Sequence, residues 1–360
     1  MEYNKKNMVS DLQEFVEMET PSYNKELLDK FVDYMKNYLK KNLDLESEII
    51  KSDTNGNDLI SVFGKGKKIL LLMHYDTVFT EGTLKSNPFR IKDDKIYGPG
   101  VFDMKAGIIE TLYALKYLKE NNGIRKEIVF LMTSDEEIDS TFSREIIIQN
   151  AKEAEYSLVM EPSLDGKLKT ERKGVGTLKL TIHGKAAHAG LDPDKGINAI
   201  TEAANIIMSV KKSEIPGINF NVIQGGNRTN VIPNLCVMEA DLRFSTEHAV
   251  TDIKSMIKSI KPLNEQVNIE VEYKIRPPMI KSLKSVELFK NARNIAKNIG
   301  IELEETSVSG GSDGNFCSYY APVLDGLGAV GNGAHSENEF IFSNSLPERS
   351  ALLAMLIENL

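Results

Sequence analysis

The apolar positions of the chain follow two rhythms. Leu27, Leu28, Phe31, Val32, Met35 and Leu39 recur at helical spacing, as do Ile108, Ile109, Leu112, Leu115 and Leu118. Around them stand short apolar runs, Ile69–Met73, Ile128–Met132 and Tyr156–Met160, with further strand candidates at Glu48–Ile50 and Leu59–Phe63. A strand buried on both faces reads as a continuous apolar run rather than an alternation. Helices alternating with such runs predict an α/β fold with a mostly parallel, sandwiched sheet. Gly123 is placed to end the helix of Ile108–Leu118 in the C-cap role that glycine favours. Ser345-Leu346-Pro347-Glu348 reads as a capping box with proline in the first turn, opening a last helix through Leu352, Met355 and Leu356.

The rhythm changes near Gly174. Thr177–Ile182 alternates apolar and polar residues, as a half-exposed strand does, and a helix follows through Ile197, Ile200, Ala204 and Ile207. Strands at Ile218–Ile223 and Cys236–Phe244, a helix at Val250–Ile260 and a strand at Val267–Tyr273 complete the order β-α-β-β-α-β, the ferredoxin-like pattern. We place this α+β domain at 174–277, inserted into a larger domain of 1–173 and 278–360, with Arg276-Pro277-Pro278 as the return linker. Leu288, Ala292, Ile295 and Ile299 then mark a helix ending at Gly300.

Composition narrows the possibilities. A chain of 360 residues has room for two domains, and 41% hydrophobic with 27% charged residues is ordinary for a globular protein. A net charge of −8 disfavours nucleic acid as a partner, though not an anionic substrate, because metals can make a site locally positive. The two cysteines, Cys236 and Cys317, form no disulfide framework and read as buried small side chains. Met1-Glu2-Tyr3-Asn4-Lys5-Lys6 leads into no apolar signal core, and no run approaches the ~20 apolar residues of a membrane span. The expectation is a cytoplasmic protein without a membrane partner.

The candidate chemistry lies where the apolar runs end. His74 and Asp76 follow Ile69–Met73, and residues i and i+2 of an extended chain point the same way. Glu136 and Glu137 follow Ile128–Met132, and Glu161 follows Tyr156–Met160 directly. Asp103 closes the loop Gly98-Pro99-Gly100-Val101-Phe102-Asp103 just before a helix, and His335 stands in Gly333-Ala334-His335-Ser336. Singly, each has an ordinary reading: a polar loop start, a solvated acidic pair, an N-cap, a turn residue. Sites in open α/β sheets lie beyond the carboxyl ends of the strands, however, and imidazoles with carboxylates converging there suit zinc or a related divalent ion.

These segments carry a resemblance. Met73-His74-Tyr75-Asp76-Thr77-Val78, Gly98 to Lys105, Thr133-Ser134-Asp135-Glu136-Glu137, Glu161-Pro162-Ser163, Gly184-Lys185-Ala186-Ala187-His188-Ala189-Gly190 and His335 span nearly the whole chain. Together they resemble the dizinc hydrolases that include acetylornithine deacetylase, succinyl-diaminopimelate desuccinylase, aminoacylase and glutamate carboxypeptidase. The resemblance implies two Zn2+ ions per subunit, with Co2+ or Mn2+ as alternatives. His74, Asp103 and Glu161 would hold one ion, and Asp103, Glu137 and His335 the other, so that Asp103 bridges. It implies Glu136 as the base acting on a metal-bridging water, Asp76 as the carboxylate that orients His74, and His188 as an oxyanion donor from the partner subunit. It also implies a cis peptide after Asp103, and an inserted domain that serves as lid and dimerisation surface of a homodimer.

Arg172-Lys173-Gly174-Val175-Gly176 is most similar to the glutamate carboxypeptidase branch. The implied function is release of a C-terminal amino acid, glutamate being one candidate, from a small peptide or N-acyl amino acid. An N-deacylase of the acetylornithine or succinyl-diaminopimelate type is the alternative, and an inactive metal-binding homologue a remoter one. Asn230, Arg276, Gly311 and Ser312 are the candidates for holding the substrate carboxylate, although Arg276 beside two prolines reads equally well as a linker residue. Gly326-Leu327-Gly328-Ala329-Val330-Gly331 matches a dinucleotide-binding fingerprint, but no helix is predicted after it, so a nicotinamide enzyme is disfavoured.

Overall fold

The three apolar runs lie side by side in one sheet. In the computed structural model, which describes residues 5–121 and 123–360, β1 (Glu48–Ile50), β2 (Asp58–Gly64), β3 (Lys68–His74), β4 (Glu127–Thr133) and β5 (Tyr156–Val159) are ordered β1-β2-β4-β3-β5, with the short strand Val323–Leu324 beside β5. Met1–Asn4, which open the stretch read above as lacking an apolar leader, lie outside the described residues. From β4 across β3 and β5 to Val323–Leu324 every pairing is parallel, whereas β2 runs antiparallel to both β4 and β1. The sheet is therefore mixed, with a parallel heart where the continuous apolar runs lie.

Why those runs are continuous is visible in what covers them. Successive side chains of a strand point to opposite faces. Ile69, Leu71, Met73, Ile128, Phe130 and Met132 join a core with residues of the helices Lys5–Glu17, Lys25–Leu43, Ala106–Glu120 and Ser345–Asn359. Leu70, Leu72, Val129 and Leu131 face the other way, against Ile147 and Ala151 of the helix Arg144–Glu153 and against Phe316 and Cys317. Each fully buried leucine contributes on the order of 1.5–3 kcal/mol relative to exposure, which makes the register of this sheet rigid.

The chain divides into two units. One takes the chain up to Glu171 together with Met279–Val308 and Ser312–Leu360; the other takes Arg172–Pro278 with Ser309–Gly311. In the second unit β6 (Gly174–His183), β7 (Ile218–Gly225), β8 (Leu235–Phe244) and β9 (Asn268–Arg276) form an antiparallel sheet ordered β7-β8-β6-β9. Leu178, Leu180 and Ile182 of β6 pack on the helices Ala199–Lys212 and Glu247–Ser259, which gives the element order β-α-β-β-α-β. Ser309–Gly311 join this unit because Arg243 Nη1 donates to the Ser309 carbonyl (3.1 Å) and Arg172 Nη1 to that of Gly311 (3.0 Å).

Three local expectations need correction. Ser345 does not form a capping box: it is already the first helical residue, Asn344 holds the N-cap position without a side-chain cap bond, and the Ser345 hydroxyl donates to the Phe342 carbonyl at 2.8 Å. The helix Ala106–Glu120 is capped by Asn121, and Gly123 closes the following turn by donating its N–H to the Leu118 carbonyl at 2.7 Å. Arg276 is not a solvated linker residue. It is the last residue of β9, 5% exposed and paired with Val175. Among the described residues no helix is long and apolar enough to cross a membrane, and no helix follows Gly331 before Ser345.

Candidate metal centre

The parallel register delivers the strand ends to one edge. His74 on β3 pairs with Thr133 on β4, and Leu72 with Val159 on β5. The next residues of β4 and β5 therefore emerge beside His74. After β4 comes a single 3-10 turn, Glu136–Ile138, held from below by Asp135, whose carboxylate accepts from Phe142 N (2.7 Å) and Asn55 Nδ2 (2.9 Å). Glu161 follows β5 after one residue. Asp103 arrives on the Val101–Lys105 segment, where its own φ and ψ are non-helical and the Asp103-Met104 peptide is cis. His335 arrives on a turn with φ +64°, a backbone region that non-glycine residues seldom occupy and that clusters at functional sites.

The side chains converge. Asp103 Oδ1 lies 3.2 Å from His74 Nε2, and Asp103 Oδ2 lies 3.2 Å from His335 Nε2. Glu161 Oε1 is 3.5 Å from His74 Nε2, and Glu137 Oε1 is 3.2 Å from His335 Nε2. Ligand atoms of His74, Glu136 and Glu161 lie within 4.8 Å of one another, as do those of His74, Asp103 and Glu137. One carboxylate thus faces two imidazoles, each flanked by a glutamate, with Glu136 at the rim.

Two supports hold this arrangement. His74 Nδ1 lies 3.0 Å from the Asp76 carbonyl and 3.3 Å from Asp76 Oδ1, which turns Nε2 toward Asp103. Asp76, fully buried, also accepts the backbone N–H groups of Glu136 (3.1 Å) and Glu137 (3.2 Å) and the hydroxyl of Ser22 (2.8 Å). One carboxylate therefore positions a histidine and both glutamates. The second support, Glu339, did not emerge from the sequence. It is fully buried, and it accepts Phe102 N (2.7 Å), Asp103 N (2.9 Å) and Gly100 N (3.2 Å), which fixes the backbone that carries Asp103.

The electrostatics favour a cation. Around the two imidazoles stand the carboxylates of Asp76, Asp103, Glu136, Glu137 and Glu161. Burial opposes the charged form of His74, yet Asp103, Asp76 and Glu161 outweigh it and raise its pKa well above the usual value. The carboxylates of Asp103 and Glu137, each 3.2 Å from its ring, raise His335 to about 11. Burial raises Glu137 to about 7, with His335 opposing. Burial would raise Asp103 too, but the two imidazoles hold its carboxyl far below the ordinary range. Glu137 Oε1 is buried and receives no aligned hydrogen bond. Buried acceptors short of a donor are uncommon, and a metal ion satisfies them. Imidazole nitrogens with carboxylate oxygens are a donor set that zinc accepts, so these residues fit a divalent metal centre.

The other candidates stand elsewhere. His188, Asn230, Arg276 and Gly311 belong to the second unit. His188 is exposed, and its Nδ1 accepts from Gly190 N and Leu191 N, both at 3.1 Å. With Nδ1 accepting, the ring proton sits on Nε2, which is left as a donor. Asn230 is exposed, and its carbonyl accepts from Ala189 N. Gly311 passes close to Arg276, where an added Cβ would lie 3.1 Å from the arginine Cδ. Ser312, in the first unit, is fully buried, with its hydroxyl donating to Asp325 Oδ2 at 2.5 Å and accepting from Gly314 N. Arg172, 4% exposed, binds the carbonyls of Gly310 and Gly311 and was singled out in the sequence only as part of a motif.

Comparison with known proteins identifies relatives of the chain. Residues 70–359 match the model of peptidase family M20/M25/M40. Carboxypeptidase G2 of Pseudomonas sp. (strain RS-16) is 33% identical over 312 residues, covering 82% of this chain and 74% of that protein. Acetylornithine deacetylase of Pasteurella multocida (strain Pm70) is 27% identical over 349 residues, covering 91% and 90%. The crystal structure of an M20 family metallo-carboxypeptidase from Sulfolobus solfataricus has the same fold, with a TM-score of 0.80 at 18% identity over 98% of each chain.

The raised pKa values of His74 and His335 mean that a cation must displace protons to bind. Apparent zinc affinity should fall as pH is lowered from about 8 to about 6, because the imidazoles compete by protonation. Calorimetric titration in buffers of different ionisation enthalpy should record proton release, and zinc uptake without it would contradict the assignment of these imidazoles as ligands.

Proposed function

The chain belongs to peptidase family M20/M25/M40 and is a metal-dependent, carboxypeptidase-like hydrolase; from that premise we propose that it releases a C-terminal amino acid, glutamate being one candidate, from a small peptide or N-acyl amino acid. The observation that carries the reading is Asp103 facing His74 and His335 at 3.2 Å each, with Glu136 alongside. In this reading His74, Asp103 and Glu161 would hold one metal ion, and Asp103, Glu137 and His335 the second. Such a pair supplies Lewis acidity toward the substrate carbonyl and acidifies water at neutral pH.

The remaining roles belong to the chain's own groups. Glu136, its backbone tethered to Asp76, takes the proton of the attacking water and returns it to the departing nitrogen. A base of this kind contributes ~10²–10⁴-fold. His188 donates through Nε2–H to the oxyanion, reaching the centre of a partner subunit, and its two backbone contacts at Nδ1 support that tautomer. Arg276, with Asn230 and the Gly311 backbone, receives the substrate carboxylate, for which a guanidinium offers two parallel donors. Ser312, committed to Asp325, shapes that loop rather than touching substrate.

The unit of Arg172–Pro278 acts here as lid and dimerisation domain. Its edge strand β7 exposes Val222 (39%) and Ile223 (52%), which supports pairing with a second copy. Zinc as the native ion, the homodimer and a cytoplasmic location complete the proposal. A second reading, an N-deacylase of the acetylornithine type, draws on the similarity to that deacetylase across 91% of this chain.

Assay of the zinc-loaded protein on a panel of N-acyl amino acids and dipeptides separates the two readings. Glu136→Gln should retain both metals by elemental analysis yet lose nearly all turnover; near-wild-type rates would remove Glu136 as the base. His188→Ala should lower kcat more than it raises KM, and an unchanged kcat would remove the oxyanion role.

A further inference from the structure

Next to the metal centre, and sharing Glu137 with it, the first unit carries a cleft of about 430 Å³. Tyr23, Val78, Phe79 and Ile138 supply its apolar lining, with Glu137 beside Ile138. Its volume falls within the ~300–1,000 Å³ of small-molecule pockets. Tyr23 is 90% exposed and Val78 43% exposed, so a large aromatic ring and an aliphatic side chain face solvent together at the mouth of a catalytic edge. Single exposed apolar residues are normal, whereas grouped ones lining a concavity mark a binding surface.

The walls are fixed, not loose loops. Thr77 N donates to the Thr20 carbonyl (2.8 Å) and Ser22 N to the Thr77 carbonyl (3.1 Å), so the segments that carry Tyr23 and Val78 are stitched together. Ser22 Oγ donates to Asp76 Oδ2, which ties the Tyr23 segment to the carboxylate that orients His74. Glu19 accepts Gly82 N (2.8 Å) and Leu84 N (3.0 Å) and so holds the chain that follows Val78 and Phe79.

The charges decide which part of a substrate fits. Among the described residues the charged ones lining the cleft are Glu81 and Glu137, with no lysine or arginine. A free carboxylate therefore finds no cationic side chain to pair with on these walls. The amino acid that leaves with its carboxylate therefore lies elsewhere, and the cleft receives the other side of the scissile bond. Resting on the hydrolase reading above, we propose that this cleft is the subsite for an apolar group on the carbonyl side. Tyr23, Val78, Phe79 and Ile138 select an aromatic or branched aliphatic acyl group or N-terminal residue over a small one.

The test uses the full-length, zinc-loaded protein and the variants Tyr23→Ala and Val78→Asp, at exposed positions where folding is checked by circular dichroism. Calorimetric titration with phenylacetate and with acetate isolates the ring, since both probes carry the same carboxylate. Wild type should bind phenylacetate at least about tenfold tighter, and the variants should lose most of that ratio, as losing an apolar contact costs about tenfold or more. The ratio of kcat/KM for an N-phenylacetyl over an N-acetyl amino acid should fall in parallel. A Phe-initiated dipeptide as a third arm shows whether the apolar group is an acyl chain or a residue. Absence of ring preference in wild type, or the same preference in both variants, would overturn the subsite. Ring preference in binding without turnover of any panel substrate would instead overturn the hydrolase reading and leave the subsite standing.

Discussion

Asp103 lies between two imidazoles, with one oxygen 3.2 Å from His74 and the other 3.2 Å from His335. The rest of the first unit is arranged so that this contact is possible. His74 ends a strand buried on both faces, and His335 comes from a turn more than two hundred residues later in the sequence. Only a rigid sheet and a fixed loop can bring them to opposite sides of one carboxylate. Five carboxylates around two imidazoles are costly without positive charge, and that excess makes the edge a place for cations.

Backbone acceptors supply the rigidity. Asp76 gathers two amide N–H groups, a hydroxyl and the His74 contacts, and Glu339 gathers three amide N–H groups around Asp103. Burial pushes Glu339 up to about 8, with the Asp103 charge adding and the amide donors opposing. Such supporting carboxylates orient ligands without touching the metal themselves. The same Asp76 contact extends through Ser22 to the apolar cleft, so one buried acid joins the candidate metal centre and the proposed specificity wall.

The fold was legible where burial leaves a mark on composition. Ile69–Met73 and Ile128–Met132 are apolar throughout because helices cover one face and Ile147, Ala151 and Phe316 the other. The positions of His74, Glu136, Glu137 and Glu161 at one sheet edge were legible for the same reason, since a parallel strand shows its end by the first polar residue after the run. Glu339 was not legible. Its partners are backbone amides 236 to 239 residues away, and an acceptor of amides has no side-chain partner to betray it. The capping box at Ser345 failed because the helix starts one residue earlier than the motif implies, which puts Asn344 rather than Ser345 at the N-cap. The antiparallel β1 and β2 edge was invisible to a rule that reads direction from helix alternation alone.

Most of this rests on the proposal that Asp103 would hold a cation with His74 and Glu161 and a second with Glu137 and His335. Anomalous diffraction at the zinc edge from crystals of the zinc-loaded protein tests it directly. The account predicts two peaks flanking Asp103, one against His74 and Glu161 and the other against Glu137 and His335. A single peak, or zinc bound away from Asp103, would contradict it.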